Sequence, residues 1–147
     1  MTLKVKSGGV HKAVLKADLP AAIMGRLIVS AKLRLYVETR SNAGSGMLSA
    51  YRLNRGWDEG TVTWNVPWVG PGATDVTDVH ATADGMIALN AEHVWLEVEV
   101  TSAVQAWASG GANHGLILVY ESGASTVYEF GARHNAAHAP SLSITYR

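Results

Sequence analysis

Three aspartates in a polar part of the chain are the first candidates for chemistry: Asp75, Asp78 and Asp84. Together with backbone carbonyls they could hold Ca²⁺, a hard ion that takes about six to eight oxygen ligands. Their spacing matches no EF-hand loop, so an ordinary solvated loop is the alternative, and we favour it. We therefore expect no cofactor, with structural calcium as the one exception.

The other acids, bases and nucleophiles form no recognisable catalytic set. Asp58 and Glu59 are adjacent, and because neighbours on an extended chain point apart, they are poorly placed as a general acid and base. His134 and His138 would align only on a helix, and no third zinc ligand is evident. The composition allows a Ser/His/Asp triad, but the sequence has no nucleophile elbow and no glycine-rich phosphate loop. We therefore expect that the protein is not an enzyme.

Two of the five tryptophans occupy unusual positions for core residues. Trp95 stands in the polar phase of its segment, beside Glu97 and Glu99, and Trp68 lies in a loop rich in glycine and proline. An exposed indole is costly to leave in water and is common at interfaces. We expect one of the two to contact a partner or a ligand.

The composition narrows the class of protein. The chain has 147 residues, of which 48% are hydrophobic and 16% charged, which excludes the disordered class. Twelve basic residues balance twelve acidic ones, so the net charge is zero and we expect no nucleic-acid partner. No apolar run approaches the roughly 18 residues that cross a bilayer, so we expect no membrane partner. The absence of cysteine excludes disulfides and thiolate chemistry.

The elements that must position these residues follow a period of two. In residues 30–38 and 94–100 apolar and polar side chains alternate, which predicts half-buried strands. Residues 116–120 form an apolar run, typical of a strand covered on both faces. Further strands are predicted near residues 3–6, 11–18, 47–54, 86–90, 126–132 and 141–146. Residues 1–6 alternate as well, so no cleaved signal peptide is predicted.

One short helix interrupts the strands, over residues 102–109. Thr101 is its predicted N-cap, and Gly110 and Gly111 end it. Residues 67–85 lack a period and are predicted to be an irregular surface loop. The pattern predicts one all-β domain over residues 1–147, an antiparallel β-sandwich of the jelly-roll type with one short helix.

Four segments, taken in order and spacing, carry a family likeness. They are residues 13–20 with 30–37, residues 56–65, residues 98–107 with 115–118, and residues 130–135 with 139–146. The most specific part reads Trp-Asp-Glu-Gly-Thr-Val-Thr-Trp at residues 57–64. Together they resemble the DNRLRE-domain family, which is also described as similar to the TGF-β propeptide and includes some carbohydrate-binding modules. The resemblance covers nearly the whole chain.

The resemblance implies a jelly-roll sandwich without catalysis of its own. Relatives are usually appended to secreted or cell-surface enzymes and adhesins, and some bind acidic polysaccharides. Trp57, Trp64 and Trp107 match family positions, and such residues can form a platform on which sugars stack. The alternative is an anchor in the core or under a loop, which we favour for Trp64 and Trp107.

Three basic residues are candidates for meeting the carboxylates of such a polysaccharide. Lys32 and Arg34 share one strand face, and Arg52 is expected on a neighbouring strand. Arginine suits this role because its planar fork matches a carboxylate with two hydrogen bonds. The alternative is an ordinary solvated strand face.

Two non-catalytic functions remain. The one we favour is a virion protein, a phage capsid decoration or head or tail accessory subunit at the virion surface. Its partners would be the major capsid protein or another virion protein, and further copies of itself, because neutral sandwiches hide their strand edges and associate symmetrically. The alternative is a carbohydrate-binding module that recognises an acidic polysaccharide. Such a module would be extracellular or at the cell surface, as part of a larger secreted protein.

Overall fold

The computed structural model describes residues 2–147 and is built from nine strands and one helix within that range. The strands are β1 (Thr2–Lys6), β2 (Lys12–Leu15), β3 (Ile28–Arg40), β4 (Gly46–Arg52), β5 (Gly85–Leu89), β6 (Val94–Glu99), β7 (Leu116–Gly123), β8 (Val127–Gly131) and β9 (Ser141–Tyr146). The helix is α1 (Thr101–Ala108), and short 3₁₀ turns occur at Ser7–Gly9 and Ala21–Ile23. Met1, the first residue of the predicted domain, lies outside the described residues.

The strands form two antiparallel sheets. In the first sheet the order is β1-β8-β3-β6, and β9 pairs with the N-terminal part of β3 while β8 pairs with its C-terminal part. In the second sheet the order is β2-β7-β4-β5. Eight strands in these two orders make a jelly roll, to which β9 is added. The predicted all-β sandwich with one short helix is therefore confirmed.

The core lies between the inner faces of the two sheets. The predicted alternation in β3 is confirmed, because Ala31, Leu33, Leu35 and Val37 are all at most 3% exposed. Leu48, Ala50, Leu118 and Tyr120 of the second sheet are fully buried in the same cluster. Burying one such aliphatic side chain stabilises the fold by roughly 1.5–3 kcal/mol, so this core holds the sheets together.

The helix begins one residue earlier than predicted and has a different start. Thr101 is its first helical residue and not its cap; no side chain caps this end. The Thr101 hydroxyl instead accepts the backbone N–H of Ala31 at 3.0 Å, which ties the helix to β3. The helix ends at Ala108, one residue before the predicted end, and the N–H groups of Gly110 and Gly111 close the last turn on the carbonyls of Trp107 and Ala106. No helix among residues 2–147 is long and apolar enough to cross a membrane.

The two sheets differ in what covers their outer faces. Residues 53–84, here called the covering segment, lie between β4 and β5 and pack on the second sheet. Leu53, Trp68 and Ala73 of this segment bury the outward side chain of Ile117, which belongs to β7. This contact explains why residues 116–120 are apolar throughout. The segment is irregular, as predicted for its part from residue 67 onward, but it forms a second small core and is not a solvated loop.

Candidate functional site

The outer face of the first sheet presents the outward half of the alternating pattern. The register pairs Arg34 with Glu97 and Tyr36 with Trp95 across β3 and β6. Lys32 lies two residues before Arg34 in β3. Its side chain is on the same face, because side chains on a strand alternate between the two faces. Polar and aromatic side chains on the two strands therefore meet on one surface.

Three aromatic rings lie together on this face. Tyr36 and Trp95 meet edge to face, with ring centroids 5.3 Å apart. His138 stacks on Tyr36 with ring centroids 3.6 Å apart, and it also meets Trp95 edge to face with centroids 6.1 Å apart. Trp95 keeps 38% of its surface exposed. These three residues, here called the aromatic platform, give the sheet an exposed apolar surface held by ring contacts.

Cationic side chains border the aromatic platform. The guanidinium carbon of Arg34 lies 4.4 Å from the centre of the Trp95 ring, a cation–π contact. Its Nε is buried and has no hydrogen-bond partner among residues 2–147. Glu97 lies 3.6 Å from Arg34 Nε and 3.8 Å from Lys32 Nζ, which is beyond normal hydrogen-bond length. Glu97 therefore holds the two cations only loosely.

A loop fixes the position of His138. Its Nδ1 lies 2.6 Å from an oxygen of Glu38, and since a carboxylate only accepts, the imidazole donates this bond. Asn135 donates to the same carboxylate oxygen at 2.9 Å, and its own side-chain oxygen accepts the His138 backbone N–H at 3.1 Å. Gly131 allows the close approach, because a Cβ there would lie 2.3 Å from the His138 carbonyl oxygen. The ring is thus positioned before any ligand arrives.

Two further carboxylates around the first sheet are held in the charged state. A hydrogen bond from the Thr101 hydroxyl lowers the pKa of Glu99 despite the opposing effect of burial. Hydrogen bonds from the hydroxyls of Thr2 and Thr39 lower the pKa of Glu129 in the same way. The face therefore carries both signs of charge, with Lys4 beside Glu129 and with Lys32 and Arg34 beside Glu97.

The structure brings together three of the six residues predicted to contact a ligand or partner: Trp95, Lys32 and Arg34. The expectation that Arg52 lies on a strand next to β3 is wrong, because β4 belongs to the second sheet. Its Nε lies 3.0 Å from Asp84, so its charge is used within the fold.

The exposure of the other tryptophans differs in part from the prediction. The expected exposure of Trp68 is wrong: it is 8% exposed, and its Nε1 donates to the Thr63 carbonyl at 3.0 Å. Trp57 is half-buried, with its Nε1 bonded to the His114 carbonyl at 2.7 Å. Trp64, expected to be an anchor in the core or under a loop, is 45% exposed and therefore not a core residue, whereas Trp107 is buried as expected. Burial follows from the path of the covering segment, which places one indole inside and another outside.

The three aspartates named for calcium have separate partners. Asp78 is fully buried and accepts the N–H groups of Val69 and Gly70 at 3.0 and 2.8 Å and Arg55 Nε at 2.7 Å. Burial opposes its ionisation, but these three donors outweigh it and lower its pKa.

The remaining two also serve the fold. Asp75 binds the N–H and hydroxyl of Thr77, and these bonds lower its pKa. Asp84 is paired with Arg52 and also accepts the Ser102 hydroxyl at 2.8 Å. Within residues 2–147 no group of three His, Cys, Asp or Glu residues could hold a metal ion, so the structure does not bring the three candidate aspartates together as calcium ligands.

Tyr36 and His138 are the site residues that sequence reasoning missed. Tyr36 stood in the polar phase of β3 with Lys32 and Arg34, which was a usable signal. No pattern marked His138, because it reaches the face through an irregular loop 100 residues after its partner Glu38.

Comparison with known proteins identifies relatives of the chain. The sequence profile of Carbohydrate-binding module family 96 matches residues 1–146. The chain is 28% identical over 147 residues to the tRNA3(Ser)-specific nuclease WapA of Bacillus spizizenii and to the tRNA nuclease WapA of Bacillus subtilis. These alignments cover 96% of this chain but only 6% of each relative's length. No solved structure matches the chain.

Proposed function

The chain belongs to carbohydrate-binding module family 96, and on this premise we propose that it is a non-catalytic module that binds an acidic polysaccharide. The binding surface we propose is the aromatic platform together with Lys32 and Arg34. One observation carries the proposal: an exposed indole, a guanidinium and an ammonium group meet on the uncovered face of the first sheet.

Membership in this family agrees with the carbohydrate-binding part of the resemblance seen in the sequence. The names DNRLRE domain and TGF-β propeptide gain no specific support from the match.

The chemistry of the surface suits a charged sugar chain. An aromatic ring offers a flat apolar surface to the C–H face of a sugar ring. The edge of the aromatic ring and its polar neighbours stay in contact with water. A carboxylate on the same sugar would meet Arg34, whose fork can hold both oxygens, and Lys32 would add a second positive charge. Because Glu97 lies beyond hydrogen-bond length of both cations, a sugar carboxylate has little to displace.

The open shape of this surface supports binding without catalysis. A catalytic acid or base needs a cleft in which its pKa is tuned, and the aromatic platform lies on an exposed sheet face. The nuclease activity named for the relatives is not carried over, because this chain spans about 6% of their length. That small share supports placing the module within a larger protein, and the carbohydrate-binding family supports an extracellular or cell-surface location for that protein.

The virion hypothesis remains a prediction. Neither the description of the matched family nor the names of the relatives refers to a virion, a capsid or a phage. The carbohydrate-binding alternative therefore takes its place as our main proposal.

The test is a titration with polygalacturonate, with neutral dextran as the comparison polymer, followed by calorimetry. Replacing Arg34 by glutamine should weaken binding of polygalacturonate by about ten- to a hundredfold, since a charged hydrogen bond contributes about 1.5–3 kcal/mol. Arg26→Gln is the matched control, because Arg26 is exposed and lies outside the platform. Its affinity should equal that of the wild type.

Two results would contradict the proposal. One is equal affinity of the wild-type protein for polygalacturonate and dextran, which would show that the protein has no preference for an acidic polysaccharide. The other is equal loss of affinity in the Arg34 and Arg26 variants, which would point to net charge and not to this surface.

A further inference from the structure

A groove of about 520 Å³ opens on another side of the sandwich. Leu3 of β1 and Leu142 of β9 line it from the first sheet, and Val14 and Leu15 of β2 line it from the second sheet. These side chains make its inner surface apolar. The volume falls within the roughly 300–1,000 Å³ that is usual for small-ligand sites.

The indole of Trp57 forms one wall of the groove, and a hydrogen bond within the fold fixes its position. Trp57 lines the groove and is half-buried. Its Nε1 donates to the His114 carbonyl at 2.7 Å, so the polar atom of the ring is satisfied within the fold. What the ring can offer a ligand is therefore its apolar surface.

The rim of the groove carries charge on two loops. Its cations are Lys16 and Arg133, its carboxylates are Asp58 and Glu59, and His134 also lines it. Asp58 is committed to its own turn, since it accepts the N–H of Gly60 at 2.8 Å.

Glu59 holds Arg133 in the way that a ligand carboxylate would. Arg133 Nε donates to one oxygen of Glu59 at 3.1 Å, and the terminal nitrogen lies 2.8 Å from the other oxygen. This is the two-point geometry that makes arginine selective for carboxylates. The two side chains are 69% and 59% exposed, and exposed ion pairs contribute little, about 0.2–1 kcal/mol. An incoming carboxylate could therefore replace Glu59 at small cost.

We propose that this groove is a second sugar site, which takes a single uronate residue, and that Glu59 occupies Arg133 until the sugar carboxylate replaces it. The sugar ring packs on Trp57 and the apolar inner surface, while its carboxylate binds Arg133. This inference rests on the proposed function, because it assigns the same class of ligand. One loop links the two sites: His134 lines the groove, and His138 belongs to the aromatic platform.

The experiment follows the indole N–H signals of the labelled protein by NMR during titration with glucuronate. The signal of Trp57 should move, with its assignment made from the Trp57→Phe variant. Glu59→Gln should bind glucuronate about two- to five-fold more tightly, because it releases Arg133 from an exposed ion pair. Arg133→Lys keeps the charge but loses the fork, and it should bind several-fold more weakly.

Asp18→Asn is the matched control for charge, since Asp18 is exposed and does not line the groove. It should leave the affinity unchanged. A Trp57 signal that stays fixed, or equal affinities in the Glu59 and Asp18 variants, would overturn the inference.

Polygalacturonate separates this inference from the proposed function. If that polymer moves the Trp95 signal while glucuronate leaves Trp57 unmoved, the groove proposal fails and the platform proposal stands. If Trp57 responds and Trp95 does not, the platform proposal fails and the groove stands. If neither signal moves, both proposals fail.

Discussion

The two outer faces of the sandwich are both formed by antiparallel strands, but one is covered by another part of the chain and the other is open to solvent. On the second sheet, the covering segment buries the outward side chain of Ile117 beneath Trp68 and Leu53. On the first sheet, the corresponding surface stays open, and Trp95 stands there with 38% of its surface in contact with solvent. The difference shows that the long connection between β4 and β5, and not the strands, decides which aromatic residues are available to a ligand.

The same residue type serves both faces through different partners. The Nε1 of Trp68 bonds to a carbonyl of its own segment, and the ring closes a small core. Trp95 instead contacts Tyr36 and the guanidinium of Arg34, and both partners are themselves at the surface. We therefore expect Trp68 to matter for folding and Trp95 to matter for binding.

The largest effect should come from removing the buried indole. Trp68→Ala should lower the free energy of unfolding by about 3–5 kcal/mol, because it leaves a cavity under the covering segment and loses the bond to Thr63. Urea denaturation followed by circular dichroism measures this change.

A matched substitution on the other face completes the measurement. Trp95→Ala should cost less than about 1 kcal/mol of stability, since surface changes usually have small effects. Equal losses of unfolding free energy in the two variants would contradict the idea that Trp68 serves folding and Trp95 serves binding.

A smaller effect should appear as a dependence of stability on pH. The buried Asp78 has a lowered pKa, because two backbone amides and Arg55 stabilise its charge against the cost of burial. A carboxylate whose pKa is lowered by folding stabilises the native state above its unfolded pKa, near the ordinary 3.8. That contribution is lost as the pH falls through the lowered value in the folded protein. Wild-type stability should therefore decline as the pH falls below about 4.

Asp78→Asn should flatten this decline, because the amide does not titrate. The comparison on the first sheet is Glu99→Gln, since the pKa of Glu99 is lowered by Thr101 but its side chain is exposed. We expect Glu99→Gln to change the slope less than Asp78→Asn, as measured by urea denaturation at a series of pH values. Parallel curves for the wild type and Asp78→Asn would show that the acid sensitivity lies elsewhere.

The strands and their pairing into a sandwich could be predicted from the sequence. The strict alternation in β3 fixed which side chains face the core, because a period of two allows only one buried face. The apolar run of β7 correctly indicated cover on both sides, although it did not identify the covering segment. Lys32 and Arg34 were placed on one face for the same reason.

The composition of the site could be predicted only in part. Whether Tyr36 meets Trp95 depends on the register of β3 against β6, and a sequence without a tight hairpin between them does not fix register. His138 reaches the platform through a loop whose shape depends on Asn135 and on the close approach at Gly131. Trp64 and Trp68 lie four residues apart in the covering segment, where no period exists to distinguish inside from outside.

The central claim is that the uncovered face of the first sheet binds an acidic polysaccharide. The most direct test is the affinity for polygalacturonate of Trp95→Ala beside that of Trp64→Ala, which removes a comparably exposed indole, 45% against 38%, from the covering segment. Our account predicts about a tenfold loss for Trp95→Ala, equivalent to about 1.4 kcal/mol, and no loss for Trp64→Ala. Unchanged binding in Trp95→Ala, or equal losses in both variants, would contradict it.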